Sequence, residues 1–152
     1  MKKLLFLLIS MSVLLVGCSS PESELRLLVF SKTVGFRHGS IGAGVEAIQK
    51  MGKSNGYKVI HTENADMFTE DTLKNYSAVI FLNTTLDVLD YYQQADFERY
   101  IQAGGGFVGI HASADTEYEW PWYGKLNGAY FKSHPEVQKA NLKVVNHDHS
   151  CT

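Results

Sequence analysis

The 152-residue chain carries 14 lysines and arginines against 16 aspartates and glutamates, and 45% of its residues are apolar. That balance fits one globular domain whose core needs no disulfide staples, and it excludes a disordered chain. The formal charge of −2 comes without a basic run, so nucleic acid is not an expected partner, because that affinity rests on clustered phosphate contacts.

The first element is an address. Lys2 and Lys3 precede an apolar run from Leu4 to Val16. At 1.5 Å per residue it reaches about 20 Å, short of the ~30 Å of a bilayer core, so it reads as an export signal and not a membrane span. Leu15-Val16-Gly17-Cys18 resembles the bacterial lipoprotein box. Cleavage would remove residues 1–17 and leave a lipid on Cys18, the alternative being an ordinary signal with a chance cysteine. Loss of Lys2 and Lys3 would take the charge from −2 to −4. Residues 18–24 form a polar tether, and Ser19 resembles outer-membrane sorting. The expected location is the bacterial cell envelope, lipid-anchored at the outer membrane. Cys151, the other cysteine, cannot complete a zinc cluster of CxxC type.

Leu25 to Ser31 is a short apolar run, predicted as a buried strand. Ser40 is placed to cap a helix whose Ile41, Val45, Ile48 and Met51 make one apolar stripe. Gly52 and Asn55-Gly56 end it. A second strand is predicted over Tyr57 to His61, a helical turn over Asp71 to Tyr76, and a third strand over Ser77 to Leu82. Asp90 and Gln93 have capping-box spacing for a helix carrying Phe97, Tyr100 and Ile101, which stops at Gly104-Gly105-Gly106. Phe107 to His111 is the fourth predicted strand, Glu117 to Phe131 an aromatic loop, and Leu142 to Val145 a fifth strand. Alternating strands and helices define an α/β class with a doubly wound, mainly parallel sheet and helices on both faces.

In such sheets ligands bind beyond the carboxyl ends of the strands. The loops predicted there hold Arg37 and His38, Asn83, His111 with Asp115 and Glu117, His134, and His147-Asp148-His149. Gly109-Ile110-His111-Ala112-Ser113 sits where α/β hydrolytic enzymes place a nucleophile elbow. A histidine there suits proton transfer or metal ligation better than acyl-enzyme chemistry. Asp115 and Glu117 fit a general acid/base, a metal ligand or acceptors for sugar hydroxyls; an N-cap and a solvated carboxylate are the plainer alternative. Trp120, Trp122 and Tyr123, with Tyr118, suit a flat sugar face, and equally a loop packed on its own side chains. His38, His111 and Asp115 are the expected catalytic residues. Arg37, Asn83, Glu117, Trp120, Trp122 and Tyr123 are the expected substrate contacts. His38, His111, His134 and His149 are the candidate ligands for a divalent metal such as zinc.

Four motifs occur in order: Gly35-Phe36-Arg37-His38, Ala103 through His111, Trp120 through Phe131, and His134-Pro135. Together they resemble the ThuA-like (trehalose-utilisation) domain, over residues 25–152. The resemblance implies a class I glutamine amidotransferase-like, flavodoxin-like fold and a link to carbohydrate catabolism. In amidotransferase relatives the elbow is G-x-C-x-G; His111 stands in place of that cysteine, so glutamine amidase activity is not expected. Members of the family usually continue through a final strand and helices, so a C-terminally truncated domain is expected. Two functions follow: an enzyme acting on small sugars or glycosides, or a non-catalytic carbohydrate-binding or accessory module.

Overall fold

The computed structural model describes residues 24–136 and 138–149. The expected signal, Cys18 and Cys151 lie outside the described residues. Four five-residue strands, β1 (Arg26–Phe30), β2 (Lys58–Thr62), β3 (Ala78–Leu82) and β4 (Gly106–Ile110), pair in parallel in the order β2-β1-β3-β4. Leu28 lies opposite Val79 in register, and Val79 opposite Phe107.

Strand residues alternate between faces, and two cores result. On one face Leu28, Phe30, Val79 and Phe81 meet Phe68, Phe97 and Tyr123. Phe30, Phe68 and Phe97 are fully buried, and a buried side chain of that size contributes about 1.5–3 kcal/mol. Helices α2 (Glu70–Leu73), α3 (Tyr91–Gln102) and α4 (Pro121–Asn127) supply Leu73, Phe97, Tyr100 and Tyr123 to that face. On the other face Val29, Ile80 and Leu82 pack against Val45 and Ile48 of α1 (Ile41–Ser54). The class is therefore α/β, a parallel sheet with helices on both sides.

The local signals hold to different degrees. Asp90 accepts from the backbone of Tyr92 and Gln93, and the Gln93 side chain accepts from Asp90 N–H, a complete capping box. Ser40 occupies the N-cap of α1 but its hydroxyl makes no cap bond. That oxygen instead lies 3.0 Å from the Asn83 amide, which donates to it. Met51 is 58% exposed and leaves the expected stripe.

Two expectations are overturned. Leu142–Val145 forms no strand; Leu142 is 96% exposed and lies on no neighbouring strand. The aromatic loop contains α4, which starts on Pro121, where a proline's fixed φ suits the first helical turn.

Candidate functional site

The crossover between β1 and β3 opens a crevice beyond their carboxyl ends, where doubly wound folds bind ligands. Chain geometry is unusual there. Asn83, Leu86, His111 and Glu117 all have positive φ, between 52° and 58°. None is glycine, and such conformations cost of order 1–3 kcal/mol each unless their surroundings fix them.

His111 follows β4 directly and opens a 3-10 turn, His111–Asp115. The turn folds back closely on β4. A Cβ at Gly109 would lie within 2.5 Å of the side-chain oxygens of Ser113 and Asn127 and would have to displace them. Tyr123, fully buried, donates to the Ser113 carbonyl at 2.9 Å. Leu86 N–H donates to the Asp115 carbonyl at 2.7 Å. These ties hold the imidazole of His111 at the crevice.

The loop after β1 brings His38 to the same place. The His38 and His111 rings are 4.7 Å apart and meet edge-on at 85°. Phe36 meets His38 edge-on at 4.9 Å. Nδ1 of His38 is buried without a hydrogen-bond partner among the described residues.

A third segment closes the opposite side. Phe131 N–H donates to the Ala114 carbonyl at 2.7 Å. The Tyr118 hydroxyl contacts both an oxygen of Asp115 and the Phe131 carbonyl, at 2.5 and 2.9 Å. Burial first, then the Asp115 carboxylate, pushes the Tyr118 phenol up to about 12. Tyr130 stacks on Tyr118 and reaches the carbonyls of Glu117 and Trp120.

These segments enclose a cavity of about 410 Å³, within the size range of small-molecule sites. Its polar groups are His38, His111, His134 and Asp115. Phe36, Tyr130, Phe131, Ala112 and Ala114 complete its lining.

Four of the residues singled out in the sequence thus share one cavity. The others do not line it. Arg37 donates through two nitrogens to Glu63, at 3.0 and 2.7 Å, on the exposed surface. Asn83 is buried against Ser40, with its carbonyl oxygen unpartnered among the described residues. Glu117 is buried and accepts from Val88 N–H, Leu89 N–H and Gln94. Burial raises its pKa above the usual carboxylate range, against the pull of those bonds. Trp120 and Trp122 stack on each other and pack with Phe97. Tyr123 lies in the same core. Tyr123 is core, and Trp120 and Trp122 are half-buried against it, closer to the plainer of their two readings. His149 is exposed and outside the cavity. His61 lies apart and pairs with Ser31 at 2.7 Å.

The expected metal set is not assembled. Among the described residues no group of three histidine, cysteine, aspartate or glutamate side chains converges closely enough to hold a metal ion. His134 Nδ1 lies 2.9 Å from the Pro135 carbonyl, which can only accept, so that nitrogen donates and the lone pair of the neutral ring lies on Nε2. His38, His111, His134 and Asp115 share the cavity, and His149, the fourth expected ligand, lies outside it. The walls Phe36, Tyr130 and Phe131 were not singled out in the sequence. Their signal was their place inside the motifs that carry the histidines.

A parallel 2-1-3-4 sheet with a left-handed histidine directly after β4 defines a doubly wound α/β domain with imidazole at the carboxyl edge of the sheet. The family model for ThuA, described as trehalose utilisation, matches residues 26–152, and the chain belongs to that family. A crystal structure of a ThuA-like protein from Bacteroides uniformis resembles it with a TM-score of 0.57 and 22% identity. The match covers 72% of this chain and 46% of that one, so this chain spans less than half the length of the solved relative. At that identity the likeness speaks for the fold. No curated protein matches the sequence.

Proposed function

We propose that the domain acts on small sugars or glycosides in carbohydrate catabolism, with His111 as the proton-transfer group. The observation that carries this reading is the edge-on pair His38–His111, 4.7 Å apart in a cavity that also holds Asp115. Imidazole changes charge near neutrality and both accepts and donates a proton. His111 exchanges a proton with a ligand hydroxyl or glycosidic oxygen, His38 sits against it as the second imidazole, and Asp115 binds a hydroxyl. Membership of a family described by trehalose utilisation supports the substrate class. His111 at the elbow provides no thiolate, which speaks against glutamine hydrolysis.

The lipoprotein box at Cys18 supports an envelope location, with the domain tethered to the membrane by lipid. Among the described residues no helix is long and apolar enough to cross a membrane.

The test is turnover and binding of a panel of disaccharides and glycosides by the full chain and by His111→Ala. General acid–base catalysis contributes about 10²–10⁴-fold. A loss of that size in His111→Ala, with affinity held within a few-fold, supports the enzyme reading. Sugar binding without turnover in the wild type makes the domain a non-catalytic binding module. Neither binding nor turnover overturns both.

A further inference from the structure

The charge and wall chemistry of the cavity narrow its ligand. Asp115 is its one carboxylate, and among the described residues no lysine or arginine lines it. Arg37, next to His38, is committed to Glu63 outside the cavity. Lys32 donates to the Val88 carbonyl and lines a different depression, with Glu63, Asp87 and Asp90. A phosphate group carries nearly two negative charges and is held by arginine, lysine or arrays of N–H donors. The cavity offers it a carboxylate and no fixed cation.

The walls point the same way. Phe36 is 71% exposed and Phe131 40% exposed, yet both face one cavity. Large apolar side chains left open around a pocket mark a surface that a ligand covers. Ala112 and Ala114 also line it and add small apolar surface. Two phenyl rings and two alanines in one lining suit a flat apolar ring. The imidazole pair and Asp115 suit hydroxyl groups.

We infer that the cavity takes an uncharged glycoside bearing an aromatic aglycone, in preference to a free or phosphorylated sugar. The aromatic ring lies against Phe36 and Phe131, and the sugar faces His38, His111 and Asp115. This inference rests on the sugar-site reading proposed above.

The experiment is calorimetric titration of the full chain at pH 8, above the ordinary imidazole range of about 6.5. The probes are phenyl glucoside, methyl glucoside and glucose 6-phosphate. Phenyl glucoside is expected to bind about tenfold more tightly than methyl glucoside, a step of about 1.4 kcal/mol. That ratio should fall towards one in Phe36→Ala and Phe131→Ala, whose rings are exposed and whose loss spares the core. Glucose 6-phosphate should bind most weakly. Equal affinity for the phenyl and methyl glucosides, or tightest binding of the phosphate, overturns the inference and leaves the sugar site standing. A preference for the phenyl glucoside that survives both alanine variants also overturns it. Binding of none of the three overturns the sugar site itself.

Discussion

Tyr118 joins Asp115 to Phe131: one phenolic oxygen sits 2.5 Å from the Asp115 carboxylate and 2.9 Å from the Phe131 carbonyl. A polar group of the cavity and one of its apolar walls are thereby fixed by the same atom.

Tyr118→Phe should cost about 0.5–1.5 kcal/mol, the net worth of a hydrogen bond, read as a fall in the urea midpoint. It should also change the alkaline limb. The folded phenol is pushed up to about 12 from an ordinary value of 10. The folded state therefore disfavours ionisation more than the unfolded chain does. Stability from this group is complete below pH 10 and is lost as pH rises from about 10 towards 12. The wild type should lose more stability across that window than the variant. Parallel curves for the two proteins would contradict the assignment.

His111 occupies the left-handed region at φ 52°. Glycine relieves that strain, so His111→Gly should keep or raise the melting temperature, by up to about 1 kcal/mol of stability. His111→Val, β-branched and poorly suited to positive φ, should lower it by more than His111→Ala does. Any turnover should be lost in all three. A rise in melting temperature for valine would refute the strained elbow.

Glu117→Ala should be among the most damaging single changes. It strips the acceptor from the buried N–H groups of Val88 and Leu89 and from Gln94. Two unsatisfied buried donors cost about 2–6 kcal/mol together. The carboxyl pKa is raised in the fold, so ionisation opposes folding. Stability should fall as pH rises from the unfolded glutamate value of about 4.3 through the raised folded value. Glu117→Gln should flatten that slope. Chemical denaturation of both variants between pH 4 and 7 measures it.

Cys18→Ser should release the protein from membranes or block its processing. Fractionation and intact-mass analysis decide this, since a lipidated Cys18 would add acyl mass. A variant that is cleaved normally and still pellets with membranes would end the lipoprotein reading.

The strands and the α3 cap were legible because their causes are local. Val79, Ile80, Phe81 and Leu82 are consecutive apolar residues, and Asp90 and Gln93 are three apart. The Ser40 cap failed because its hydroxyl is engaged by Asn83, 43 residues away. Leu142, Val144 and Val145 carry an apolar strand-like composition, but no neighbouring strand receives it. In the site, His38 and His111 were legible from their places after strands. The place of Glu117 was not: it reads as a substrate contact or a solvated carboxylate, yet its left-handed backbone turns it onto the N–H groups before α3. The aromatic residues divided on tertiary grounds. Tyr123 went to the core, with Trp120 and Trp122 half-buried against Phe97 at the start of α4, while Phe131 stayed open because its backbone is tied to the turn that follows His111.

Both phenyl walls hang from main-chain atoms. Thr85 Oγ1 accepts from Gly35 N–H and donates to the Phe36 carbonyl, each at 3.2 Å. Phe131 is held by its own N–H and carbonyl. Neither attachment reads the side chain it positions. Residues 36 and 131 are thus free to change identity without moving the scaffold, and selection can retune what the cavity admits one residue at a time. A library randomised at these two positions should yield mostly folded proteins with divergent ligand preferences, whereas the same library at Ser113 and Glu117 should yield mostly unfolded ones.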